Sequence, residues 1–258
     1  MDTVRLEIKD KIATITLNRP EKYNALNREM AFTLREKLEV AENNGEVRCI
    51  VLTGSGKAFS SGQDLTEVKD PHGPEMKKIL PEQLNPIVRK LRTIEKPVLA
   101  VVNGFAAGAA ANIALCCDII IAGESAVFIQ AFTKIGLIPD SGGTYILPRL
   151  VGLQKAAAMM LMAENISAVD AESLGMIYKS FPDERLFIEA ERIARLLANM
   201  PTKALYYTRM ALNESMNSDF ESQLRNEANW QEKAAATEDF VEGVQAFLQK
   251  RLPVFQGK

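Results

Sequence analysis

Apolar positions in the first two-thirds of the chain fall into short runs, some alternating with polar residues and some continuous. "VRLEIKDKIATITLN" alternates on either side of Asp10 and Lys11, the pattern of two strands joined as a hairpin. "NREMAFTLREKLEVAENN" changes the period. Met30, Leu34, Leu38 and Ala41 recur at helical spacing, which predicts an amphipathic helix. "RCIVLTGSG" and "KPVLAVVNG" are continuous apolar runs that end at glycine, as strands buried on both faces do. Between them "PEQLNPIVRKLRTIE" predicts a helix. "AANIALCCD", "IIIAG" and "AVFIQ" then predict helix, strand and strand.

From about residue 150 the pattern turns helical. "GLQKAAAMMLMAE", "AVDAESLGM", "DERLFIEAERIARLLANM", "TKALYYTRMALNESM" and the final stretch to "FLQK" carry it, punctuated by Pro201 and Pro253. The expected architecture is an α/β core over residues 1–200 and a helical C-terminal region over 201–258. No low-complexity linker separates them.

Composition narrows the function classes. The chain has 258 residues, 47% hydrophobic and 25% charged, with a formal net charge of -2. Those are the proportions of a soluble globular protein without the basic footprint of a nucleic-acid binder. Apolar runs such as "IIIAG" and "VLAVVNG" are too short to span a bilayer. Met1 leads directly into the first strand pattern, so a cytoplasmic protein is expected. Cys49, Cys116 and Cys117 lie in apolar surroundings and read as buried reduced thiols. The one histidine, His72, lies in the proline-flanked "KDPHGPE". No metal site is expected from that set, and a Ser-His-Asp arrangement would have to use His72 itself.

Three glycine-containing segments, each expected to be a turn, hold the candidate chemistry. "GKAFSSGQDLTEV" (56–68) follows "CIVLT", and "VNGFAAGAAANIAL" (102–115) follows "VLAVV", with a helix expected to begin near Ala109. Small residues before a helix allow close helix–strand packing. They also leave first-turn N–H groups open to an anion or a developing oxyanion. "GLIPDSGGTYILPRL" (136–150) sets Asp140 between Pro139 and a glycine pair. Such an Asp forms turns readily, and it could equally serve as an acid or base.

"FSSGQDL", "NGFAAGAAANIALCCDIIIA" and "IGLIPDSGGTYILPRLVG", in that order, resemble the crotonase family of enoyl-CoA hydratases and isomerases. The terminal segments "ITLNRPEKYNALN" and "FLQKRLPVFQGK" share the likeness, which therefore spans nearly the whole chain. The resemblance implies a spiral of ββα units with a helical trimerisation region, and assembly as trimers or hexamers. It implies acyl-CoA thioester substrates, with coenzyme A part of the substrate and no separate cofactor.

Carried over by position, the resemblance makes the N–H groups of Gln63 and Ala109 the donors that polarise the thioester carbonyl. Asp64, Leu65 and Thr66 would continue the acyl-CoA wall. Lys22, Asn24, Ala25 and Leu26 would lie by the adenine and pantetheine of coenzyme A. Hydratases of the family use two glutamates, and this chain places Asn112 and Phe132 there, where the resemblance makes them substrate-binding residues of the acyl pocket. Neither can exchange a proton near neutral pH. Asp140 matches the single acid/base carboxylate of isomerase-type members, and an apolar neighbourhood including Phe132 would raise its pKa. "AFTKIGLIPDSGGT" and "AFLQKRLPVFQGK" are most similar to the ring-1,2-epoxyphenylacetyl-CoA isomerase branch, which serves phenylacetate degradation. Open alternatives are an enoyl-CoA hydratase, a Δ3–Δ2 enoyl-CoA isomerase, a 4-chlorobenzoyl-CoA dehalogenase, and a catalytically silent CoA- or RNA-binding relative.

Overall fold

The N-terminal hairpin forms as the alternation predicts: β1 (Val4–Lys9) runs antiparallel to β2 (Ile12–Leu17), with Lys9 opposite Ile12. Asp10 and Lys11 take φ of 51° and 66°, the left-handed pair that a two-residue type I′ turn requires. The computed structural model describes residues 2–69 and 75–258, and His72 lies outside the described residues. α1 (Arg28–Asn43) is capped by Asn27, whose side chain accepts from the Met30 N–H at 2.9 Å. It buries Met30, Leu34, Leu38 and Ala41, as their spacing requires.

Six further strands come in pairs. β3 (Cys49–Gly54) leads to β4 (Ala58–Ser60), β5 (Val98–Val102) to β6 (Phe105–Ala107), and β7 (Ile119–Gly123) to β8 (Val127–Ile129). Short helical segments follow each pair. α2 (Leu65–Lys69), α3 (Met76–Ile79) and α4 (Asn85–Thr93) follow the first, and α5 (Ala109–Leu115) follows the second. A 3₁₀ turn at Ala131–Ile135 follows the third. The strand–strand–helix repeat implied by the resemblance is present.

With β9 (Ile166–Ser167) and β10 (Lys179–Phe181), the strands form two sheets, ordered β1-β2-β3-β5-β7-β10 and β4-β6-β8-β9. The larger sheet is parallel from β2 to β10. β3 and β5 are buried along their whole length because each face meets a different core. Ile50, Leu52, Ala100 and Val102 enter the main core with α1, α4 and α5. Cys49, Val51, Leu99 and Val101 enter a second core on the opposite face.

The remaining helices are α6 (Gly143–Val151), α7 (Leu153–Met162), α8 (Ala168–Ser173), α9 (Asp183–Asn199), α10 (Thr202–Ser215), α11 (Phe220–Ala235) and α12 (Glu238–Leu248). α9 supplies Leu186, Ala190, Ile193, Ala194 and Ala198 to the second core. Buried Arg48, just before β3, ties the C-terminal region to the core. It donates to Met200 O at 2.7 Å, Phe255 O at 3.1 Å and the Thr202 hydroxyl. On α10, Arg209 pairs with Asp118 at 3.0 Å.

Two expectations need correction. Segments 56–68 and 102–115 are more than turns, since they contain β4 and β6 of the smaller sheet. The chain after residue 150 also returns to strand at β9 and β10. These strands have two or three residues each, too few to show a period of two. Among the described residues, no helix is long and apolar enough to cross a membrane.

Candidate active site

The segment after β4 is held against residues 23–26 by backbone hydrogen bonds. Leu26 N–H donates to Gly62 O at 2.7 Å, and Leu26 O accepts from Asp64 N–H at 2.9 Å. In such a parallel bridge the residue between the two bonded groups turns its own N–H to the opposite side. That residue is Gln63. The neighbouring Ser61 N–H is engaged by Tyr23 O at 2.9 Å. Among the described residues, no hydrogen bond engages the Gln63 N–H.

The second segment leaves a similar group. Gly108 N–H donates to Ile129 O at 2.9 Å, and α5 starts immediately after it. The N–H of Ala109 opens the helix, where no intrahelical acceptor exists, and it has no partner among the described residues. The two segments touch at Gly62, whose φ is +88°. A Cβ at Gly62 would stand 2.7 Å from Ala107 O and 3.6 Å from Ala109 N. Glycine is therefore required by conformation and by the close approach. The close approach at Gly62 thus sets the segment of Gln63 beside that of Ala109, each with an N–H that no described group engages.

Phe132 is buried in the 3₁₀ turn, and its ring packs over Gly108, 3.7 Å from where a Cβ would lie. Asn112, one helical turn beyond Ala109 on the same face of α5, is also buried. Its Nδ2 donates to Asp140 O at 2.9 Å, and its Oδ1 accepts from Gln130 Nε2 at 2.8 Å. Asp140 is thereby tethered to the helix that begins at Ala109.

The half-buried Asp140 carboxyl has one hydrogen-bond partner among the described residues, the Ser141 hydroxyl at 2.8 Å. No ion pair reaches it among those residues. Burial pushes its pKa above the usual carboxylate range, partly opposed by the Ser141 hydrogen bond. A carboxylate in such a setting is a stronger base than one in water.

The expected binding residues divide into two groups. Lys22, Leu65 and Thr66 are exposed. Asn24, Ala25 and Leu26 are buried. The Asn24 amide is engaged by the protein, donating to Ser55 O at 2.9 Å and Ala58 O at 2.8 Å and accepting from Arg19 N–H at 2.8 Å. Asp64 pairs with Arg19 at 3.0 Å and accepts from the Thr66 hydroxyl at 2.6 Å. Burial works against its charge, but the bonds from Thr66 and Arg19 outweigh it and hold the carboxyl below its usual range. Asn24 and Asp64 thus brace the loops.

Gln130, Ser141, Gly62 and Gly143 were not singled out in the sequence. Gln130 left a signal, a polar residue closing the apolar run "AVFI". Trp230 stands in α11, stacked on Tyr207 with ring centroids 5.4 Å apart, and donates to Glu214 at 2.8 Å. The three cysteines are free and buried, with the Cys49 and Cys116 thiols pushed up to about 12 by burial.

Residues 7–258 match the family model described as enoyl-CoA hydratase/isomerase. A 1,2-epoxyphenylacetyl-CoA isomerase of Escherichia coli is 42% identical over 261 residues, covering 100% of both chains. A probable enoyl-CoA hydratase of Rhodobacter capsulatus is 45% identical over 256 residues, covering 99% of this chain and 98% of its own. The crystal structure of an enoyl-CoA hydratase from Bacillus anthracis superposes with a TM-score of 0.91 at 30% identity, covering 99% of this chain and 100% of that one. With the ββα spiral and these matches together, the chain belongs to the enoyl-CoA hydratase/isomerase family, the crotonases, whose members act on acyl-CoA thioesters.

Proposed function

We propose that this chain is an acyl-CoA isomerase in which Asp140 carries the proton and the N–H groups of Gln63 and Ala109 hold the thioester oxygen. The observation that carries this reading is the Asp140 carboxyl, which burial makes a stronger base and which no ion pair reaches among the described residues. Asn112 and Phe132 stand where hydratases of the family hold glutamates, and the Asn112 amide is engaged by Asp140 O and Gln130. Water addition needs a group that activates water and a group that protonates carbon. Isomerisation needs one shuttle, because the proton removed at one carbon returns at another.

In the proposed reaction of a 3-enoyl-CoA, Asp140 takes a proton from C2. The C–H electron pair moves toward the thioester carbonyl, whose oxygen gains charge against the two N–H groups. The enolate then collapses, the double bond moves to C2–C3, and Asp140 returns the proton at C4. General acid–base catalysis contributes about 10²–10⁴-fold, and one oxyanion donor about 10²–10³-fold. The preferred substrate in this reading is a ring-1,2-epoxyphenylacetyl-CoA, supported by the 42% identity with the Escherichia coli isomerase. A hydratase reading is favoured by the 45% identity with the Rhodobacter capsulatus protein.

The test is to follow enoyl-thioester absorbance with a 3-enoyl-CoA and with crotonyl-CoA under identical conditions. The isomerase reading expects double-bond migration to be clearly faster than hydration. Hydration at an equal or higher rate would return the chain to the hydratases.

Assembly as a trimer or hexamer belongs to the same proposal. It is supported by apolar side chains left open on and after the last helices, among them Phe220, Phe247, Leu248 and Leu252. Light scattering is expected to give at least a trimer mass at micromolar concentration, and a stable monomer would refute it.

A further inference from the structure

We infer that Asn112 and Gln130 are positioning residues that lock the Asp140 turn to the helix carrying the Ala109 N–H. This inference rests on the isomerase reading. It assigns the position of a hydratase glutamate to holding the base in place rather than to contact with water.

The hydrogen-bond chain is directional, and its direction is fixed from one end. A backbone carbonyl can only accept, so Asn112 must turn its NH₂ toward Asp140 O, where Nδ2 lies at 2.9 Å. That leaves Asn112 Oδ1 facing Gln130, which must then present its own NH₂, at 2.8 Å. Gln130 Oε1 is left buried without a partner among the described residues. Both side chains are buried, at 1% exposure for Asn112 and 3% for Gln130. Reversing either amide would set two acceptors against each other.

The Asp140 turn is shaped around this clamp. Asp140 O also accepts from Gly143 N–H at 2.8 Å, so both its acceptor directions are used. Ser141 and Gly142 take φ of 50° and 79°. A Cβ on Gly143 would overlap the Asn112 amide, so the amide lies flat against the glycine backbone. An ionised glutamate at position 112 would have no hydrogen to donate and would oppose Asp140 O instead of holding it. The seat can carry the amide clamp or a glutamate, but not both with this turn.

Two substitutions test the clamp. Asn112→Asp keeps the shape and, when ionised, loses the donor, while Gln130→Leu removes the group that orients Asn112. With a 3-enoyl-CoA, both are expected to lower kcat, by about 10-fold or more for Asn112→Asp and less for Gln130→Leu, with KM little changed. The decisive readout is a double-mutant cycle with Asp140→Asn. If Asn112 acts through Asp140, adding Asn112→Asp to Asp140→Asn leaves the residual rate where it was.

Wild-type kcat in both single variants overturns the inference, as does a full additional loss in the double variant. If Asp140→Asn itself retains turnover, the isomerase reading falls and the inference falls with it. If Asn112→Asp does not fold, the same cycle with Gln130→Leu, an apolar replacement of similar size, decides the question: no further loss on Asp140→Asn supports the clamp, and a full further loss overturns it.

Discussion

The two halves of the candidate site use the chain in opposite ways. In the proposed reaction Gln63 and Ala109 act through their backbone N–H groups, and their side chains need only be compatible with close approach. Asp140 acts through its side chain, and the backbone around it is tightly specified by Ser141, Gly142, Gly143 and Asn112. A backbone site tolerates substitution at the residue that donates and not at the glycine that lets segments meet. A side-chain site does the reverse, since its donor residue cannot change.

The largest effect that would break this comparison lies at Gly62. Gly62→Ala adds a Cβ 2.7 Å from Ala107 O at a φ of +88°, and must displace the Gln63 N–H or the segment it faces. Turnover of a 3-enoyl-CoA is expected to fall by about 10²–10³-fold, the worth of one oxyanion donor. Steady-state kinetics at a temperature where the variant stays folded would check it.

A second effect appears in stability. Burial holds the folded Asp140 pKa above its unfolded value, so the native state binds more protons than the unfolded one between the two values. Stability therefore falls as pH rises from the unfolded value toward the folded one, and the full cost is present above the folded pKa. Asp140→Asn removes that cost. Its Tm is expected to exceed wild type at pH 7, with the difference vanishing below about pH 3.9, where both states are protonated. Thermal melts across that range would show it.

The smallest effect is at Gln63. Gln63→Ala retains the N–H, and it removes a side-chain Nε2 that is buried without a partner among the described residues. Turnover is expected to stay within about twofold of wild type, because the donor is backbone. A large loss would mean that the side chain takes part.

Much of the fold was legible because its signals are periodic. Met30, Leu34, Leu38 and Ala41 gave α1, and the continuous apolar runs gave β3 and β5 because both faces of those strands are covered. β4 and β6 escaped since three-residue strands beside glycines look like turns. In the candidate site, the motif likeness singled out Asp140, Gln63 and Ala109 as expectations, and the turn of "PDSGG" was plain. The clamp by Asn112 and Gln130 was not legible. It depends on which way two amides point, and that is set by a carbonyl 28 residues from Asn112 in sequence. Nor could the sequence show that Asn24 and Asp64 are occupied within the fold, because their partners at Ser55, Ala58 and Arg19 are distant along the chain or reached only through a turn.

The central claim is that one carboxylate carries the proton, and Asp140→Asn tests it most directly. The substitution keeps size, the acceptor for Ser141 and the backbone carbonyl held by Asn112, and it removes only the proton carrier. Two quantities should be measured on the same preparation: turnover of a 3-enoyl-CoA, and the Kd of a non-reacting acyl-CoA. The account predicts a fall in turnover of about 10²–10⁴-fold with Kd essentially unchanged. Turnover near wild type would contradict it and leave Asp140 as a residue of the turn alone.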